Sequence, residues 1–94
     1  MNPFTDTTLR ALAHEHGTPL WIYDATTVRQ RIADLKVFDS VRYAQKANSN
    51  THLLRLMREQ GVVVDAVSRG EILRALAAGY TAAQAPCGAS GIVF

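Results

Sequence analysis

The stretch that most restricts the fold is Val62-Val63-Val64-Asp65-Ala66-Val67, a nearly continuous β-branched run with Gly61 before it and Ser68 after it. So many branched apolar residues in a row predict a strand covered on both faces, as parallel strands are. A parallel neighbour cannot be reached through a tight hairpin and needs a crossover, usually a helix. The flanks supply two. Residues 51–60 place Leu53, Leu54, Leu56 and Met57 on one helical face, with Gly61 as the stop. Ser68 and Glu71, three apart, form a capping box for a second helix whose expected apolar face is Ile72, Leu73, Leu76 and Ala77, ended by Gly79. Residues 41–45 read as a strand, 46–50 as a polar turn and 91–94 as a third strand. Strand, helix, strand, helix, strand is the order of a parallel α/β sheet with right-handed crossovers.

Residues 1–40 form a lead-in of a different pattern. Asp6, Thr7 and Thr8 are N-cap candidates for a helix carrying Leu9, Leu12 and Ala13 and stopped by Gly17. Leu20, Trp21, Ile22 and Tyr23 follow Pro19 with high strand propensity and predict a short strand. Asp24 then caps a helix with Val28, Ile32 and Leu35 on its apolar side.

With 94 residues the chain holds one folding unit at most. A closed eight-unit barrel needs about 250 residues, roughly 30 per unit, so residues 41–94 supply about two and a half units. Three parallel strands alone leave two unpaired edges and a poorly covered face. The expectation is therefore a piece of a longer polypeptide. Hydrophobic residues at 48% and charged residues at 19% fit a globular chain. The net charge of +2 is dispersed, with no basic run to follow a phosphate backbone, which argues against nucleic acid as a partner. No apolar run approaches the roughly 20 residues of a membrane span. The N-terminus, with Asp6 and no apolar run behind it, does not read as a secretory signal, and the single Cys87 forms no internal disulfide, so a cytoplasmic location is expected.

Lys46 is the first candidate for chemistry, because it lies at the carboxyl end of an expected parallel strand, where α/β folds place their sites. A free lysine with a pKa near 10.4 is about three units too basic to be neutral near pH 7.4, so nucleophilic use requires desolvation or a cationic neighbour. A solvated turn residue is the plain alternative. Ala44 precedes it on the same strand face, where a small side chain leaves room for a bound ring or simply fits a tight interior. Asp65 interrupts the branched run and is either a buried carboxylate that needs a partner or a surface residue at a strand edge. Ser68 and Glu71 are sufficiently explained as caps, and Arg69 and Gly70 have no assigned role. His14, His16 and His52 show no ligand spacing, so no metal is expected, and Cys87 reads as incidental.

The string Tyr43-Ala44-Gln45-Lys46-Ala47-Asn48-Ser49-Asn50 resembles the lysine motif of the fold-type III pyridoxal-phosphate decarboxylases, the family acting on diaminopimelate, ornithine and arginine. Three further segments are similar to that family in the same order: His16 to Asp24 with its Gly17-Thr18-Pro19, Val64 to Ile72, and Ala77-Ala78-Gly79-Tyr80. The resemblance implies an alanine-racemase-like (β/α)8 barrel of the TIM type, here in part, with pyridoxal 5'-phosphate as cofactor. It implies that Lys46 is the Schiff-base lysine, that Ala44 lies by the cofactor, and that Asp65 pairs with the ammonium form of Lys46. It further implies a small amino-acid substrate, with diaminopimelate favoured by Gly17-Thr18-Pro19 and the run from Asp65 to Glu71, and a homodimer at full length. Another basic amino acid, or a silent binding homologue, remains the alternative.

Overall fold

The computed structural model describes residues 2–81 and 91–93. The expected third-strand residue Phe94 and the loop cysteine Cys87 lie outside them. Helix α1 (Asp6–His16) and helix α2 (Ala25–Asp34) precede strand β1 (Arg42–Ala44) and a 3-10 turn (Gln45–Ala47). Helix α3 (Thr51–Glu59), strand β2 (Val63–Asp65), helix α4 (Arg69–Ala77) and strand β3 (Ile92–Val93) follow. The strands form one parallel sheet in the order β1-β2-β3, as the alternating pattern predicts.

Local chemistry explains the boundaries. Gly17 adopts φ 81° and donates its N–H to the Ala13 carbonyl at 2.8 Å, closing α1 where a left-handed residue is needed. The cap at the other end is Thr5, whose hydroxyl accepts from the Thr8 N–H at 3.2 Å, rather than Asp6, Thr7 or Thr8. Asp6 instead lies in the first turn, where its charge meets the positive end of the helix dipole. Asp24 caps α2 as expected, accepting from the Thr27 N–H at 2.8 Å. These bonds, from the Thr27 hydroxyl first and then its N–H, hold the Asp24 carboxyl below the usual range. Ser68 accepts from the Glu71 N–H at 3.2 Å, and the Glu71 carboxylate reaches back to the Val67 N–H at 3.4 Å, one residue beyond the usual capping-box donor.

The sheet is covered on one face. Leu54 of α3, Ala75 of α4, Ala78, Tyr80, Val64, Ala66 and Ile92 form a single buried cluster, with Tyr43 and Ile72 packed against it. Along the second strand and its flanks, burial alternates: Val62, Val64 and Ala66 are buried, whereas Val63 and Asp65 are half-buried and Val67 is 67% exposed. Among the described residues both helices lie on the same side, so one face of this strand is covered and the other is open. Tyr80 closes the cluster. Its hydroxyl donates to the Val62 carbonyl at 2.7 Å, and burial pushes its phenol up to about 12.

Three further expectations are corrected. Residues 20–23 form no strand, and Trp21 is 86% exposed, since among the described residues no neighbouring strand offers its hydrogen bonds to this segment. On α4 the residues facing the core are Ile72, Ala75 and Ala78, while Leu73 and Leu76 are exposed, because the small side chains permit close approach to the sheet. Leu35 caps the end of α2 and stays exposed, leaving Ile32 as the buried residue of that helix.

Replacing Tyr80 by Phe strands a buried carbonyl, and we expect a loss of about 1–2 kcal/mol, read as a lower urea midpoint at unchanged slope. The folded phenol holds its proton to about 12 against an ordinary 10, so alkaline deprotonation favours the unfolded chain. Stability is therefore intact below pH 10 and falls as the pH rises towards about 12, and the Phe variant lacks this share of the decline.

Candidate functional site

Residues paired in a parallel sheet project to the same face, so the register sorts side chains into rows. Tyr43, Val64 and Ile92 form a row beneath the helices, and Ala44, Asp65 and Val93 the next row, on the open face. Ala44 is exposed and Asp65 half-buried. Lys46 follows at the carboxyl end of β1, but inside the 3-10 turn and not on the strand. The turn ends the two-residue alternation, so Lys46 does not share a strand face with Ala44 as the sequence suggested. No Lys46–Asp65 ion pair is present among the described residues.

The turn is held from several directions. Gln45 is fully buried and donates through Nε2 to the Glu71 carbonyl in α4 at 2.7 Å. Ser49 Oγ donates to the Gln45 carbonyl at 3.2 Å, and Arg74 of α4 donates through Nη1 to the Ser49 carbonyl at 3.3 Å. Asn48 is the hub. Its N–H donates to the Gln45 carbonyl at 3.1 Å, its carbonyl accepts from the Tyr43 hydroxyl at 2.8 Å, and its Nδ2 donates to the Tyr23 hydroxyl at 2.9 Å. Asn48 Oδ1 accepts from the Asn50 N–H at 3.0 Å, while Asn50 caps α3 through the His52 N–H. Burial pushes the Tyr43 phenol upward, which keeps it a donor.

Lys46 is exposed and makes no hydrogen bond or ion pair among the described residues. The chain's other lysine, Lys36, donates to the Gln60 carbonyl at the end of α3 at 2.6 Å. The structure thus separates a structural lysine from one whose amine is available at the carboxyl ends of the strands. Ser68 and Glu71 serve each other as caps. Among the described residues no group of three His, Cys, Asp or Glu side chains is placed to hold a metal ion. A cavity of about 420 Å³ lies elsewhere, between α2 and the edge of β1, lined by Phe4, Ile22, Val28, Ile32 and Tyr43 among others, and does not reach Lys46.

Sequence reasoning missed Gln45, Asn48, Tyr23 and Arg74 as the frame of this turn. A signal existed for Gln45, because alternation from Tyr43 places a polar side chain on the core side. The partners of Asn48 and Arg74 are 25 residues distant and leave no local pattern.

The family described as "Pyridoxal-dependent decarboxylase, pyridoxal binding domain" matches residues 25–90. A diaminopimelate decarboxylase of Streptomyces coelicolor is 71% identical over 72 residues, covering 77% of this chain and 16% of the relative. That of Escherichia coli K12 is 64% identical over 81 residues, covering 81% of this chain and 19% of the relative. A crystal structure of diaminopimelate decarboxylase superimposes with a TM-score of 0.81 at 63% identity, over 83% of this chain and 18% of that one. The chain therefore spans less than a fifth of the length of these relatives.

Gln45 Oε1 is buried without a hydrogen-bond partner among the described residues, so a charge at this position meets no compensation. Gln45→Glu is expected to destabilise the fold in a pH-dependent way. Burial raises the carboxyl above its ordinary value of about 4.3, so the penalty is small below that pH and grows above it. Urea midpoints at pH 4 and pH 7 measure the difference, and Gln45→Met should show no such pH dependence.

Proposed function

Because this chain belongs to the pyridoxal-dependent decarboxylase family, we propose that it is the opening portion of the cofactor-binding barrel of a diaminopimelate decarboxylase, with Lys46 as the residue that carries the cofactor. In this reading residues 1–40 are a lead-in, and residues 41–94 begin an alanine-racemase-like (β/α)8 barrel. The observation that carries the assignment is the contrast between the two lysines: Lys36 is spent on a helix end, and Lys46 stands free at the carboxyl end of β1.

The residues present fit pyridoxal phosphate. A primary amine is the group that bonds an aldehyde, and the open sheet face beside it bears the methyl group of Ala44. When bound, the cofactor supplies an electron sink for the pair left behind as a carboxylate departs as carbon dioxide. The protein's share is placement. Gln45, Asn48 and Ser49 fix the backbone on both sides of Lys46, so the amine is presented from a rigid turn. Asp65 puts a half-buried carboxylate on the open face, where its negative charge is available to a cationic group of the cofactor or substrate. Ala44 keeps the adjoining volume clear. The proposed reaction turns meso-2,6-diaminopimelate into L-lysine and carbon dioxide, in a cytoplasmic homodimer at full length.

The test uses the full-length polypeptide with pyridoxal phosphate. Borohydride reduction followed by peptide mapping should place the cofactor mass on Lys46, and mass on Lys36 instead would overturn the assignment. Lys46→Ala should abolish nearly all carbon dioxide release from meso-2,6-diaminopimelate. Asp65→Asn should retain the label on Lys46 with slower turnover.

A further inference from the structure

The segment expected to be a strand has an unexpected connection. Residues 20–23 pair with no strand, yet Tyr23 reaches across 25 positions in sequence to accept from Asn48 Nδ2 at 2.9 Å. Asn48 lies two residues after Lys46, and its other polar groups are already committed within the turn and its immediate neighbours. Its N–H and carbonyl are held by Gln45 and Tyr43, which belong to β1 and its continuation. Its Oδ1 holds the Asn50 N–H, and Asn50 in turn caps α3. The Tyr23 hydroxyl therefore fixes the one remaining polar atom of the side chain on which the exit from the turn depends. It is also the only one of these bonds that ties the turn to the segment between α1 and α2. Tyr23 is 51% exposed and also lines the cavity beside α2 together with Ile22 and Val28.

We propose that Tyr23 is a positioning residue, which acts through Asn48 to hold the turn that presents Lys46. The inference rests on the assignment of Lys46 as the cofactor lysine. Tyr23 itself touches no reacting atom in this account. Its hydroxyl restrains the Asn48 amide, the amide restrains the Asn50 N–H, and the backbone from Gln45 to Asn50 keeps one conformation as a result.

The experiment is Tyr23→Phe in the full-length polypeptide, which keeps the ring and deletes the hydroxyl. Amide hydrogen exchange at Asn48 and Asn50 should accelerate about two- to tenfold, the effect of one lost hydrogen bond at a partly exposed site, while Val64 and Ala66 remain protected. kcat should fall by a similar factor, about two- to tenfold, with KM little changed, because the turn is loosened and the substrate site is untouched. On an Asn48→Ala background the same Tyr23→Phe change should add nothing to exchange or to kcat. Unaltered exchange at Asn48 and Asn50 overturns the proposal, as does an additive effect on the Asn48→Ala background. Borohydride mapping separates the two readings: a label away from Lys46 refutes the cofactor assignment, whereas a label on Lys46 with wild-type exchange refutes only the role of Tyr23.

Discussion

The parallel pairing of β1 with β2 is the constraint on which the rest depends. With Tyr43 opposite Val64 and Ala44 opposite Asp65, one set of side chains goes under α3 and α4 and the other to the open face. A slip of one residue in either strand would send Asp65 or Ala44 into the apolar cluster and expose Val64 or Tyr43. Burying a single valine contributes about 1.5–3 kcal/mol and an unpaired buried carboxylate opposes folding by more, so the register is strongly specified. The same choice that builds the core thereby sets Ala44 and Asp65 on the face without helices.

The alternation ends where the chemistry is proposed to begin. A strand continued through residue 46 would have aligned Lys46 with Ala44 on the open face, one same-face position beyond the row of Asp65. The 3-10 turn breaks the strand after Ala44, and its geometry is held by a buried amide. Gln45 enters the core by parity and satisfies Nε2 on the Glu71 carbonyl, which ties the turn after β1 to the helix after β2. Arg74 repeats the tie from one helical turn further along α4. Two successive strand–helix units are thus coupled through the segment that carries Lys46. That segment is held by hydrogen bonds from its neighbours around one buried side chain, Gln45, while Lys46 stays exposed.

Much of the fold was legible in the sequence, and the failures share a cause. Gly17, Asp24 and Ser68 announced helix ends because capping is a local matter of one side chain and a backbone group two or three residues away. The run from Val62 identified a parallel strand, since branched residues and a helical crossover are both visible in one window. The strand expected at residues 20–23 did not form, because propensity gives no information about whether a partner strand is adjacent. The buried side of α4 was misassigned for a related reason: the larger Leu73 and Leu76 drew attention, whereas the sheet admits Ala75 and Ala78 at closer range. Lys46 stood out by its position and surroundings, but its place in a 3-10 turn depends on where the strand stops, and strand ends are set by tertiary hydrogen bonds such as that of Gln45.

This division between faces has a consequence for how the molecule tolerates change. Residues beneath the helices are mutually dependent, since a cavity at Leu54 or Val64 removes contacts from both helices at once. Among the described residues, those on the open face have no such neighbours. Asp65 illustrates the point: a half-buried carboxylate inside a β-branched run adds nothing to the core and is disfavoured in a strand. Ala44 stands opposite Asp65, and the register that keeps Val64 under the helices keeps both on the open face, which is the face the proposed cofactor site would use.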